Sequence, residues 1–234
     1  FANLSRIFLD KGEYDQALTV MNNARKTFEN SPQVMLHASV MDSMIHDKAG
    51  NKEAAERAFG EARTLFDAAV NKPESLALDM VRSCFQHGDQ AAGEKITQEL
   101  VKNNHDNPAV LKRTEQMFQR MGMHDQGKDL IHTSSREVIA LNNRAVKLAQ
   151  AGDLKGSVEL LMQAADQLRA NNVVVLNAAH AILTYLGQTG WDERLANIVH
   201  EYLDTVKQRD PQHKKYLSLS AIYKDLALKF GVKV

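Results

Sequence analysis

Small and apolar positions return at helical spacing behind a glycine near the start of the chain, in LDKGEYDQALTVMNNA. Counting from Gly12, Tyr14 stands at two, Ala17 at five, Met21 at nine and Ala24 at twelve. Polar residues fill the places between, as on an amphipathic helix with one buried stripe. The order recurs from Gly50 in GNKEAAERAFGEA, with Ala55, Phe59 and Ala62 at the matching offsets, and from Gly152 in GDLKGSVELLMQA. Looser copies follow Gly88, Gly122 and Gly190. The six glycines are spaced 38, 38, 34, 30 and 38 residues apart. These spacings differ in units of four, close to whole helical turns. Lengthening a helix by one turn keeps its apolar stripe on the same side, so the pattern is a repeat.

Each copy reads as two antiparallel helices joined at the glycine, which supplies the left-handed backbone that ends the first helix. Four residues before it stand Phe8, His46, Cys84, Phe118, Leu148 and Leu186, mostly apolar. Five after it stand Ala17, Ala55, Gly93, Gly127, Ser157 and Leu195, mostly small, as close helix crossing requires. Nine after it, Met21, Phe59, Thr97, Ile131, Leu161 and Val199 fill the space between helices. Pro32, Pro73, Pro108 and Pro211 fall between one copy's second helix and the next first helix, where proline is tolerated. In SSREV, Ser134 and Glu137 have the spacing of a capping box and predict a helix start there. After Pro211 the pattern predicts one closing amphipathic helix, with Tyr216, Leu219, Ile222, Tyr223 and Leu226 on or near its apolar face. Copies are expected at residues 1–31, 32–72, 73–107, 108–134, 135–172 and 173–210, with the closing helix at 211–234, all in one domain. The chain opens at Phe1 already inside a helical pattern, so a fragment of a longer chain is expected.

This order of glycine, aromatic, small, apolar and alanine positions resembles the tetratricopeptide repeat, nominally 34 residues long. The likeness spans essentially the whole chain and is strongest in the first, second and fifth copies. Asp42 and Glu115 stand where the family usually places apolar or small residues, and Leu195 where a small one is usual. The resemblance implies an all-α, right-handed α-solenoid of about six helix pairs with a C-terminal capping helix, the first helices lining a concave groove. The second half is closer still. SREVIALNNRAVKLAQAGDLKGSVELLMQAADQL, followed by VVVLNAAHAIL and GWDERL, resembles the C-terminal repeat region of bacterial two-component response regulators. In those proteins a phosphoacceptor receiver domain precedes a tetratricopeptide array. That implies an output or scaffold region in phosphorelay signalling, although none of the receiver's own residues is present here.

Composition narrows the classes further. With 44% hydrophobic and 25% charged residues the chain reads as globular. Lys plus Arg total 29, as do Asp plus Glu, so no net charge points to nucleic acid. No apolar run approaches the roughly 20 residues of a bilayer span, so no membrane insertion is expected. The single cysteine, Cys84, rules out an internal disulfide framework and fits a reducing, cytoplasmic setting. Four residues before Gly88, it reads as a small buried hydrophobe rather than a nucleophile. Nine histidines are scattered without a His-x-x-x-His pair or cysteine companions, which gives zinc no converging ligand set. No phosphate loop is present, and no second motif supports a Ser-His-Asp constellation. The expectation is a non-enzymatic chain with no cofactor.

The implied groove is read at ten, six, three and two residues before each glycine. The third copy then offers Leu78, Arg82, Phe85 and Gln86, and the fourth Lys112, Gln116, Gln119 and Arg120. The fifth offers Asn142, Val146, Ala149 and Gln150, and the sixth His180, Thr184, Gly187 and Gln188. The middle tilts basic around one aromatic residue, which suits a protein or peptide partner with an acidic segment. An ordinary solvated face, or Phe85 packed inward, accounts for the same residues. Asn142 and Asn143 match asparagines with which some tetratricopeptide proteins hold a C-terminal carboxylate, but the neighbouring copies lack the partner lysines and second asparagine at matching places. Two other functions stay open: a stand-alone adaptor or co-chaperone, and a signalling output or homodimerisation module whose groove holds no external ligand.

Overall fold

The computed structural model describes residues 1–232. Its turns show what each repeat glycine does. Gly12, at φ +77°, donates its N–H to the Leu9 carbonyl at 3.1 Å, and Glu13 donates to Phe8 at 2.9 Å. These are the two bonds of a Schellman cap, whose left-handed residue carries a steric cost with any side chain but glycine's. The same pair of bonds closes the helices that end before Gly50, Gly88, Gly122 and Gly152. The position four before each of these glycines is thus the residue whose carbonyl takes the outer bond.

Twelve helices follow, and no strand occurs among the described residues. They are α1 (Ala2–Asp10), α2 (Tyr14–Thr27), α3 (Pro32–Lys48), α4 (Lys52–Ala68), α5 (Glu74–Gln86) and α6 (Gln90–Asn103). The remainder are α7 (Pro108–Arg120), α8 (His124–Gln150), α9 (Leu154–Gln167), α10 (Asn172–Thr189), α11 (Glu193–Arg209) and α12 (Lys214–Lys229). Pro32 and Pro108 open α3 and α7, and Pro73 precedes α5, where their missing N–H would have had no helical partner.

The chain divides into two compact units. Unit 1 comprises residues 1–100 and 112–131, and unit 2 comprises 101–111 and 132–232. In unit 1, α1, α3 and α5 pack side by side, while α2 and α4 each lie against the first helices on either side, as in an α-solenoid. In unit 2, α10 packs between α9 and α11 and also meets α12. Ala17, Ala55 and Ala164 are fully or almost fully buried, as helix crossings at small residues require. Gly93 and Gly127 show why two copies replace that alanine. A Cβ on Gly93 would come within 2.7 Å of the Phe85 ring, and one on Gly127 within 2.4 Å of Phe118. The ring on the first helix fills the space of the methyl missing from the second.

Two expectations need correction. Ser134 does not start a helix with Glu137: both lie inside α8, which runs unbroken for 27 residues. Between Lys128 and Gln150 the sequence holds no glycine or proline to stop a helix, so the turn expected at 134–135 is absent. That explains the short 30-residue spacing from Gly122 to Gly152. Ser134 is buried, and Glu137 pairs instead with Lys102 at 2.5 Å. The sixth turn also differs. Gly190, at φ +108°, makes only the bond to Leu186, and α11 begins three residues after the glycine where the other second helices begin two after. The small slot moves by one accordingly, so Ala196 is buried and Leu195 only half-buried. The closing helix starts at Lys214 and buries Leu219, Tyr223 and Ala227, while Ile222 faces solvent. The last two residues assigned to it, 233 and 234, lie outside the described residues.

Candidate functional site

Unit 1 carries two adjoining concavities of about 800 and 550 Å³. Their walls come from the first helix of every repeat in the unit: Arg6 on α1, Lys48 on α3, Arg82 on α5 and Arg120 on α7. Three arginines, Arg6, Arg82 and Arg120, line both hollows. The expected groove residues Leu78, Arg82, Gln116 and Arg120 come together around the smaller one, and Phe85 joins Arg82 and Arg120 in the larger. Lys112 lines neither. It is exposed on α7, one turn before Gln116, while its neighbour Arg113 turns to Glu74 with bonds of 2.5 and 2.6 Å.

Phe85 is both inward and lining. Its ring meets Phe118 edge-on at 5.5 Å and covers Gly93, yet part of it reaches the larger hollow. Leu9, Tyr14, Met44, Met121 and Met123 complete an apolar, methionine-rich floor. Around it, Arg6, Lys11, Lys48, Arg82, Arg113 and Arg120 face three carboxylates among the described residues, Asp10, Glu74 and Asp79. Two of those are committed, Asp79 to Arg6 and Glu74 to Arg113. Arg82 and Arg120 have no acidic partner among the described residues. A chain of zero net charge thus gathers a local cationic excess. Arg6, Met44 and Lys48 escaped the sequence reading, although the same offsets of six and two before Gly12 and Gly50 would have found them.

Unit 2 has a less charged counterpart of about 500 Å³. Asn142, Val146, Ala149, Gln150, His180 and Thr184 line it, as the offsets predict. What the offsets missed is a polar chain across it. Lys215, on α12, donates to the Asn177 carbonyl oxygen on α10, and the Asn177 amide donates to Asn142 on α8. The second asparagine and the lysine are therefore present, although not at the positions searched. Burial lowers the Lys215 pKa, and burial together with the Lys215 charge lowers that of His180.

Elsewhere the polar clusters read as structure. Burial pushes the Cys84 thiol up to about 11, so it is no nucleophile at neutral pH. His87 Nε2 lies 3.1 Å from both Ser43 Oγ and Asp47 Oδ2, with Phe59 stacked on the ring at 4.4 Å. A relay needs the nucleophile's hydroxyl and the orienting carboxylate on different ring nitrogens of the histidine base, so this trio cannot act as one. No group of metal-ligating side chains converges among the described residues, and no helix among them is long and apolar enough to cross a membrane.

Neither a protein-family model nor a curated protein matches the chain. Among solved structures, the C-terminal part of a TPR repeat-containing protein from Cytophaga hutchinsonii aligns with 94% of this chain and 99% of its own length. The identity is 12% and the TM-score 0.29, a likeness too slight to argue from.

Proposed function

We propose that the chain is a non-enzymatic protein-interaction module whose unit 1 concavity receives an acidic partner segment bearing an apolar anchor. One observation carries the reading: two unpaired arginines stand over a floor of Phe85, Met44 and Met121. Opposite charge speeds and orients the encounter, and the apolar floor supplies affinity. The test uses labelled peptide mixtures with acidic residues flanking a fixed Leu or Phe. Wild type should bind them with an affinity that falls steeply with salt, and Arg82→Glu with Arg120→Glu should lower it by about ten-fold or more. Equal binding by the double variant removes the reading.

The resemblance of the second half to response-regulator repeat regions supports placing this module as the output or scaffold region of such a protein. A parent gene without a receiver domain would overturn that placement. A second site is favoured by the Lys215–Asn177–Asn142 chain, which leaves the Asn142 amide and further Lys215 N–H groups to donate to a partner's carboxylate. Peptides that differ only in a free or amidated C-terminus would separate it from the basic site. Self-association rests on Leu217, Ile222 and Leu228, exposed on α12. Sedimentation showing a monomer at high protein concentration would remove it.

A further inference from the structure

We propose that the anion received by Arg82 and Arg120 is a phosphoryl group on a partner side chain, an inference that rests on the acidic-segment reading and names its central group. The unit itself shows what one carboxylate requires. Glu74 engages the single guanidinium of Arg113 through two parallel bonds, and Asp79 engages Arg6 alone. One carboxylate thus satisfies one arginine on this surface. Arg82 and Arg120 are left as two uncommitted guanidiniums on neighbouring first helices, lining the wall common to both hollows.

A phosphoryl group carries close to two negative charges and three strong acceptor oxygens, so it can engage two arginine forks at once. A carboxylate, with one charge and two oxygens, leaves one fork unmatched. Among the described residues, Asp10 is the one carboxylate lining either hollow that no base engages, and it lines the larger one. The smaller hollow continues past the arginines to Leu78, Ser75 and Met117, with room for the residues flanking a modified serine or threonine.

The experiment uses the whole chain and three fluorescein-labelled peptide mixtures. All share randomised acidic and apolar flanks and differ only in a central phosphoserine, aspartate or serine. The phosphoserine mixture should bind roughly ten-fold more tightly than the aspartate mixture, since hydrogen bonds to charged groups are worth about that much each. Arg82→Gln and Arg120→Gln should each erase most of that advantage with an unchanged circular dichroism spectrum. Arg82→Lys should retain only part of it, because an ammonium keeps the charge but loses the fork. Aspartate binding as well as phosphoserine overturns the phosphoryl assignment and leaves the acidic-segment reading standing. A phosphoserine advantage that survives both glutamine variants also overturns it. No binding by any mixture overturns both.

Discussion

The hollows of the two units are built from the same part of the repeat and differ in charge. In unit 1 the positions six and two before the glycines put Arg6, Lys48, Arg82 and Arg120 around the concavity. In unit 2 the lining residues at equivalent positions are Val146, Gln150 and Thr184, and among the described residues the one cation lining the hollow is Lys215, from the closing helix. Both units have Schellman turns and buried small residues, the turn at Gly190 apart. The difference in charge between the hollows therefore lies chiefly in two positions per first helix, six and two before the turn glycine.

The comparison can be broken first at its scaffold. Phe118 and Leu148 occupy the same place, four before a turn glycine, but Phe118 is fully buried under Phe85 and Leu148 only half-buried. Phe118→Ala should cost about 3–5 kcal/mol by urea unfolding. Leu148→Ala should cost well under that, and equal losses would mean that the aromatic platform is not special to unit 1. If the helix crossings are alike, Ala55→Leu and Ala164→Leu should each overpack and cost roughly 1–3 kcal/mol. An unchanged melting temperature in either would mark that crossing as loosely packed.

A graft then tests whether lining alone decides binding. Val146→Arg with Gln150→Lys should give unit 2 a salt-sensitive affinity for acidic peptides, a gain of about ten-fold that persists when Arg82 and Arg120 are both replaced. No gain would mean that the apolar floor of unit 1 is also required. Serines offer a smaller contrast. Ser31 caps α3 by accepting from the Val34 N–H, so Ser31→Ala should cost about 1 kcal/mol. Ser134→Ala, buried in mid-α8 and capping nothing, should cost less than Ser31→Ala by the same measurement. A cap-sized loss at Ser134 would restore the turn that α8 lacks.

The smallest effect is in pH. His180 has a folded pKa below its ordinary 6.5, chiefly through burial and then through Lys215. As pH falls, the unfolded chain takes up this proton first, so stability declines from about pH 6.5 down through the folded value. His180→Gln should flatten this decline in urea midpoints measured from neutral to mildly acidic buffer, and an unaltered slope would assign it to another group.

Much of this was legible in advance, for definite reasons. A glycine in the left-handed region and an alanine at a crossing have few substitutes, so Gly12, Gly50, Ala17 and Ala55 could be read directly. Groove positions followed by counting back from those glycines. What escaped lay where one residue alters a count, or where an absence was the signal. The added residue before α11 shifted the buried slot from Leu195 to Ala196. The capping-box spacing of Ser134 and Glu137 outweighed the lack of any helix breaker after Lys128. Lys215 was invisible because it lies on the closing helix, outside the repeat's numbering, and reaches Asn177 only through the fold.

The shortness of the glycine turns has a consequence for the order in which the protein assembles in time. Each first helix meets its partner across three residues, so pairs such as α1 and α2 close almost no loop and can form early. The basic hollow is different: Arg6 and Arg120 are 114 residues apart along the chain, and its wall exists only once α7 has docked. Pulse-labelled hydrogen exchange during refolding should protect the amides of α3 and α4 before those of α7. The cationic hollow is then among the last features of unit 1 to be completed, formed only after the scaffold behind it is already in place.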